Sequence, residues 1–368
     1  MDETRTSDPW IPVQRPLLPT GDDILPYLRT VDQTRLYSNH GPLVRTLEER
    51  LSEYFAVPAD QLAVFSSGTT ALEAAVATAP SDRRSVWHVP SWTFTATASA
   101  VIRAGAQIRF VDIDDEWRIP PEVAIDSAVD VLPFGAPPCV ERIPTTRAPL
   151  VIDAAASFDA MSGIGPRLSR QRPIAAMVSL HATKAPGCGE GGVLIANDRE
   201  WVARARRWGN FGLSDARESM MIGTNAKMSE LQAAVSLAAL DSWPTMRARW
   251  LAQTSRAVTL SRTAGFRVRG GMARGAVAPY FVIQSADAAE RDRIRRHAVA
   301  EGVDTRRWWE AGCHRMSAFR HLASDPLPNT EVAAAGALGL PFSVDLGDSE
   351  WERINRVLTV AATARAAS

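Results

Sequence analysis

The chain has 368 residues, 46% hydrophobic and 22% charged, and its 41 basic and 41 acidic residues cancel to a net charge of +0. That composition suits a globular protein able to bury a core without disulfides. The even charge excludes the strong electrostatic pull used to bind nucleic acid or acidic membrane, and no apolar run approaches the roughly 20 residues of a membrane span.

Three widely separated cysteines, Cys139, Cys188 and Cys313, have no zinc-ligand spacing, so no metal site is expected. Their sparse, odd count points to a reducing, cytoplasmic setting. The start, Met-Asp-Glu-Thr followed by Pro9, Pro12 and Pro16, has neither the basic nor the apolar region of a secretory leader.

Residues 1–36 read as an extended arm with one short helix near Gly21–Arg29. Gly41-Pro42 leads into an amphipathic helix, Leu43–Phe55, with Leu43, Leu47, Leu51 and Phe55 on one face. Short apolar runs then alternate with helical ones. Leu62–Phe65, Val86–Val89, Ile108–Val111, Val129–Pro133, Leu150–Asp153, Ala176–Leu180 and Val193–Ala196 are strand-like; Thr69–Thr78 and Thr93–Arg103 are helix-like. This alternation predicts an α/β fold with a mainly parallel sheet sandwiched by helices. A helix over Glu230–Leu240 is expected to break at Trp243-Pro244, and a second, Thr245–Arg262, to link two domains. The remainder (strand Tyr280–Gln284, helices Asp287–Glu301 and Ser349–Ala362) reads as a small α+β domain. The expected division is an arm at 1–36, a large domain at 37–243, and a linking helix with small C-terminal domain at 244–368.

Only two lysines, Lys184 and Lys227, stand among the 41 basic residues. Arginine stays protonated and cannot act as an amine nucleophile, whereas lysine can form a Schiff base. Lys184 follows an apolar strand and precedes Gly187-Cys188-Gly189-Glu190-Gly191-Gly192. It is either a reactive amine or a solvated residue in a turn. Three other constellations precede it. Ser66-Ser67-Gly68-Thr69-Thr70, between a strand and a helix, is a phosphate cradle or an N-cap. Trp92 and Phe94, after the next strand, stack on a flat ligand or fill the core. Asp153, ending an apolar strand, partners a pyridine nitrogen or caps a turn. Cradle, aromatic, carboxylate and lysine, in that order, form the parts list for pyridoxal phosphate.

These residues resemble the DegT/DnrJ/EryC1/StrS sugar aminotransferase family, within the fold-type I pyridoxal-phosphate enzymes. The resemblance runs over roughly residues 35–345. It is carried by Ser66–Leu72, Pro90–Phe94, Ile152–Ala155, Ser179–Lys184 with Gly189–Gly192, Asn210-Phe211-Gly212 and Gly223–Ala234. It implies pyridoxal 5'-phosphate or its pyridoxamine form as cofactor, with Lys184 as the Schiff-base and proton-shuttling lysine and Asp153 as partner of the pyridine nitrogen. It further implies Phe94 stacked on the ring, and Gly68, Thr69, Thr70 and Ser179 at the phosphate. Asn225 would reach the phosphate from the other subunit of a homodimer. The sequence departs from the family at Ala156, where a Gln or His near the cofactor's phenolic oxygen is usual; Ser157 or a water is the alternative partner.

The activity so implied is transfer of an amino group from glutamate to a nucleotide-linked keto-sugar, a 4-keto-6-deoxy sugar by preference. The run Thr305-Arg306-Arg307-Trp308-Trp309 with Gly312-Cys313-His314 resembles a branch of 4-aminotransferases; Arg306, Arg307 or His314 touches the sugar nucleotide, or the run is a surface arginine pair with packed tryptophans. The alternatives are a non-catalytic ligand-binding or regulatory protein of the same fold, and another pyridoxal-phosphate sugar-modifying enzyme of the family. A lyase of the cysteine desulfurase type needs a mobile cysteine, and Cys188, four residues past Lys184, is poorly placed for one.

Overall fold

The computed structural model describes residues 10–81, 85–121, 123, 127–139, 142, 148–168 and 172–366, so the first nine residues of the expected arm lie outside it. Helices α1 (Gly21–Thr34) and α2 (Pro42–Phe55) come first. They are followed by β1 (Leu62–Phe65), α3 (Gly68–Ala77), β2 (Val86–Pro90), α4 (Thr95–Arg103), β3 (Gln107–Val111), β4 (Ser127–Val131), β5 (Leu150–Asp153), β6 (Ile174–Ser179), β7 (Gly192–Ala196), α5 (Arg199–Trp208) and α6 (Glu230–Thr263). The rest comprises β8 (Arg267–Val268), β9 (Phe281–Gln284), α7 (Ala288–Ala300), β10 (Ala323–Ser324), α8 (Pro328–Gly336), β11 (Ala337–Leu340) and α9 (Asp348–Ala366).

Eight strands form one sheet in the order β1-β7-β6-β5-β4-β2-β3-β10. The run from β6 to β10 is parallel throughout, and only β7 is reversed, antiparallel to both β1 and β6. Every residue of β5 and β6 is buried, as a parallel strand covered on both faces requires. Alternate residues feed opposite cores. Ile152 packs in the cluster with Leu47, Phe55, Leu237 and Trp243. Its neighbour Val151 packs in the one with Leu72, Trp87 and Trp201. A three-stranded antiparallel sheet, β11-β9-β8, shares a third core with Ile294, Trp351 and Leu358.

The α2 periodicity holds, with Leu43, Leu47, Leu51 and Phe55 all buried. Gly41 offers no side-chain cap. Glu230, at the start of α6 and 0% exposed, supplies one instead: its carboxylate accepts from the N–H groups of Leu43 (2.7 Å) and Val44 (3.1 Å). This satisfies donors that a helix start leaves free.

Three expectations change. The two helices expected on either side of Pro244 are a single helix, α6, with Pro244 inside. A proline removes one helical hydrogen bond; beyond it, Met246, Trp250 and Leu251 pack on the first core and Ala257 on the third, which holds the helix in line. The strand expected to reach Pro133 ends at Val131, because Pro133 opens a 3₁₀ turn where its missing N–H is no loss. The arm's helix extends to Thr34 and packs on α6, while Ile11 and Gln14 bridge to Val303 and Phe342, stitching the arm to the C-terminal part. The structure adds helices α5 and α8 and strands β8, β10 and β11 to those expected from the sequence. Among the described residues no helix is long and apolar enough to cross a membrane, and no three His, Cys, Asp or Glu side chains gather as for a metal ion.

Candidate active site

The parallel strands all end at one edge of the large sheet, where open α/β sheets bind ligands. A cavity of about 440 Å³ lies there. The segments after β1 (Ser67, Gly68, Thr69), β2 (Thr93, Phe94) and β4 (Leu132, Phe134) line it, together with Asp153 and Ser179 at the ends of β5 and β6, and Lys184.

Asp153 is 6% exposed. It accepts a hydrogen bond from the Thr97 hydroxyl (2.7 Å) and another from the Ala155 N–H (3.1 Å). Burial pushes its carboxyl above the usual range, opposed by those two bonds and by the charge of Lys184. Thr97 is in turn fixed by Thr93, their hydroxyls lying 2.8 Å apart.

Lys184 sits in a tightly cross-bonded connection between β6 and the reversed β7. Leu180 N–H donates to Gly191 O, Ala182 N–H to Gly189 O, and Cys188 N–H to Leu180 O. A Cβ on Gly192 would lie 2.3 Å from Ser67 O, so only glycine lets this hairpin close on the turn before α3. The lysine amine donates to the Tyr280 hydroxyl at 2.5 Å.

At the start of α3, Ser67 and Thr70 form a reciprocal capping box. Thr70 is therefore turned into the cap and away from the cavity, whereas Gly68 and Thr69 face it. A Cβ on Gly68 would press on Ser179 Cβ at 3.0 Å, so a glycine lets the helix start lie against Ser179, and the backbone there, with Ser179, lines the cavity where an anion could bind. The two aromatics after β2 separate. Trp92 is fully buried against Trp117 and Trp309, and Phe94 is 60% exposed on the cavity wall.

The rest of the wall comes from elsewhere in the chain. Phe134 and Trp309 stack at 4.5 Å with an interplanar angle of 13°, and Tyr280 and Trp308 meet edge to face at 4.9 Å. Phe134 (φ 51°) and Trp309 (φ 55°) both hold left-handed backbone, which is strained for non-glycine residues and recurs at functional sites. Of the three candidate contacts, Arg306 lines the cavity, Arg307 pairs with Glu310, and His314 bonds Ser91. Ala156 also lines it, but the Ser157 hydroxyl donates to Ala136 O, so that serine does not supply the expected partner. Asn225 lies outside the cavity on an exposed segment, its side chain accepting from Lys227 at 2.8 Å. Burial pushes the Cys188 thiol up to about 12, far from a nucleophilic thiolate. A second cleft, of about 290 Å³, is lined by Lys184, residues 14–20 and α6, and does not include Asp153.

A buried carboxylate, a lysine amine and an open helix start, brought together at the ends of parallel strands, define an α/β protein of the fold-type I class. The sequence matches the DegT/DnrJ/EryC1/StrS aminotransferase family over residues 20–131 and 143–359, and the chain belongs to that family. It is 32% identical to Protein Rv3402c of Mycobacterium tuberculosis over 247 residues, spanning only 60% of that protein's length and 62% of its own. It is 26% identical to the dTDP-4-amino-4,6-dideoxy-D-glucose transaminase of Escherichia coli, covering 96% of this chain and 99% of that one. Among solved structures, DesI in the presence of its TDP-sugar product superposes with a TM-score of 0.81 at 28% identity, covering 98% of this chain and 96% of that one.

Proposed function

We propose that the chain is a pyridoxal-phosphate-dependent aminotransferase that moves an amino group from glutamate onto a nucleotide-linked 4-keto-6-deoxy sugar in the cytoplasm. The observation that carries this reading is that the Lys184 amine and the buried Asp153 carboxyl line one cavity. The donor set fits the cofactor. Gly68, Thr69 and Ser179 offer backbone and hydroxyl donors to a phosphate, Phe94 offers an exposed ring face, and Asp153 offers an anion to a ring nitrogen. When bound, the cofactor supplies an electron sink for exchange of the amino group. With the cofactor in place, Asp153 would keep a proton on the ring nitrogen, Lys184 would supply the amine for covalent attachment and for proton transfer at the reacting carbon, and the aromatic wall would keep water out.

The names of the relatives support a nucleotide-sugar acceptor. The wall of Phe134, Trp308 and Trp309 supports a sugar that has lost hydroxyls, since ring faces hydrogen-bond poorly and pack well against C–H surfaces. Arg306, beside Gln14 at the cavity, supplies a cation for the donor's carboxylate or the nucleotide's phosphates. A homodimer is part of the proposal. Phe211, Met220 and Ile222 (92% exposed) stand out on the segment that carries Asn225, and exposed apolar residues concentrated in one region mark an interaction surface.

The test is a panel of nucleotide keto-sugars incubated with glutamate and cofactor, with products read by mass. The wild type is expected to aminate a 4-keto-6-deoxy sugar and Lys184→Ala to aminate none. Protein that stays colourless with added pyridoxal phosphate would favour a non-catalytic binder, and full turnover in Lys184→Ala would remove the mechanism.

A further inference from the structure

Tyr280 immediately precedes β9 of the second sheet, yet its hydroxyl lies 2.5 Å from the Lys184 amine on the first sheet's loop. The amine is 4.9 Å from the tyrosine ring centre, so it meets the oxygen and not the ring face. The tyrosine is 8% exposed, and its ring is wedged edge to face between Phe134 (5.9 Å, 78°) and Trp308 (4.9 Å, 77°). Ala156 lines the same cavity and has no polar atom to share this work.

We infer that Tyr280 is the positioning residue for Lys184: its hydroxyl holds the free lysine amine in place and ties that placement to the seating of the small sheet against the large one. The inference rests on reading Lys184 as the cofactor-bearing amine, but its geometry belongs to this chain alone. The amine donates and the hydroxyl accepts. A buried ring locked by two aromatic neighbours gives that acceptor one location, which a water would not have. The segment leading into the small sheet thus reaches the site through this hydrogen bond.

Because the chain has only two lysines, the idea can be read without turnover. Cofactor-free wild type and Tyr280→Phe would be treated briefly with acetic anhydride near neutral pH, and acylation at Lys184 and Lys227 compared by peptide mass. Removing the acceptor frees the Lys184 amine. The Lys184:Lys227 acylation ratio is expected to rise by about threefold to tenfold in Tyr280→Phe, the effect of one net hydrogen bond. Trp308→Leu, which keeps the hydroxyl but loosens the ring, should raise the ratio less. Melting curves verify that both variants are folded. An unchanged ratio in whichever variant is folded overturns the inference. In parallel, loading with pyridoxal phosphate should move the pH midpoint of the visible band in Tyr280→Phe. If the wild type takes up no cofactor, the aminotransferase reading fails, while the acylation ratio still decides the role of Tyr280.

Discussion

Opposed influences act on the Asp153 carboxyl. Burial favours the neutral acid, while the Thr97 hydroxyl, the Ala155 N–H and the Lys184 charge favour the anion, and burial dominates. An acid whose folded-state proton affinity is raised contributes stability while protonated, and loses it as pH climbs through the raised value. The cofactor-free wild type should therefore fall behind Asp153→Asn in melting temperature as pH rises above about 4, and draw level with it in acid. The asparagine keeps an oxygen for Thr97 and buries no charge. The same variant should lose most transamination, a gain in stability set against function. A wild type that melts higher than Asp153→Asn at neutral pH would show that burial is not the dominant influence. Asp153, Ser179 and Lys184 are legible in the sequence because each ends or follows an apolar strand, and parallel strands end at one edge. Thr97 and Tyr280 are not, since they arrive from a helix face and from the second sheet, and no local period encodes that meeting. Phe94 and Trp92 look alike in sequence; only the packing of Trp117 and Trp309 decides which one is core.

Helix α2 begins at a glycine that cannot cap it, and depends on a carboxylate from α6 nearly two hundred residues away. Glu230→Ala leaves two buried N–H groups without their acceptor and should cost about 1–3 kcal/mol, measured as a lower denaturant midpoint with an unchanged slope. Glu230→Gln keeps an acceptor oxygen and should cost less; equal losses would point to packing. This link also bears on how far the elements are legible. Most strands and helices of the first half are, from apolar runs and their punctuation. The α5 face, Trp201, Val202, Ala205 and Trp208, carries a helical spacing hidden among arginines. At α6 the proline rule misleads, because the core residues that hold the helix beyond Pro244 lie far away in sequence. Helix α8 runs through Gly336 directly into β11, and pairing with β9 is what turns Ala337–Leu340 into a strand.

At the scale of the molecule, the proposed homodimer gives a complementation experiment. Lys184 lines the cavity of its own chain, and Asn225 lies on the exposed segment outside it. If two-fold symmetry carries Asn225 to the partner's cavity, then Lys184→Ala and Asn225→Ala homodimers are each dead or weak. A mixture that exchanges subunits regains one site with both residues intact. Active monomers in sedimentation, or no recovery after proven exchange, would count against shared sites. The direction of β7 carries one more consequence. Elsewhere in the large sheet, parallel neighbours are joined by long crossovers, whose length can vary at little entropic cost. Between β6 and β7 the chain instead turns back through twelve residues clamped at Ser179 and Gly192. Insertions should therefore be tolerated in the crossovers and rejected here, where one added residue would slide the lysine along its hairpin. In a lineage of such proteins, this loop is the one whose length is expected never to drift.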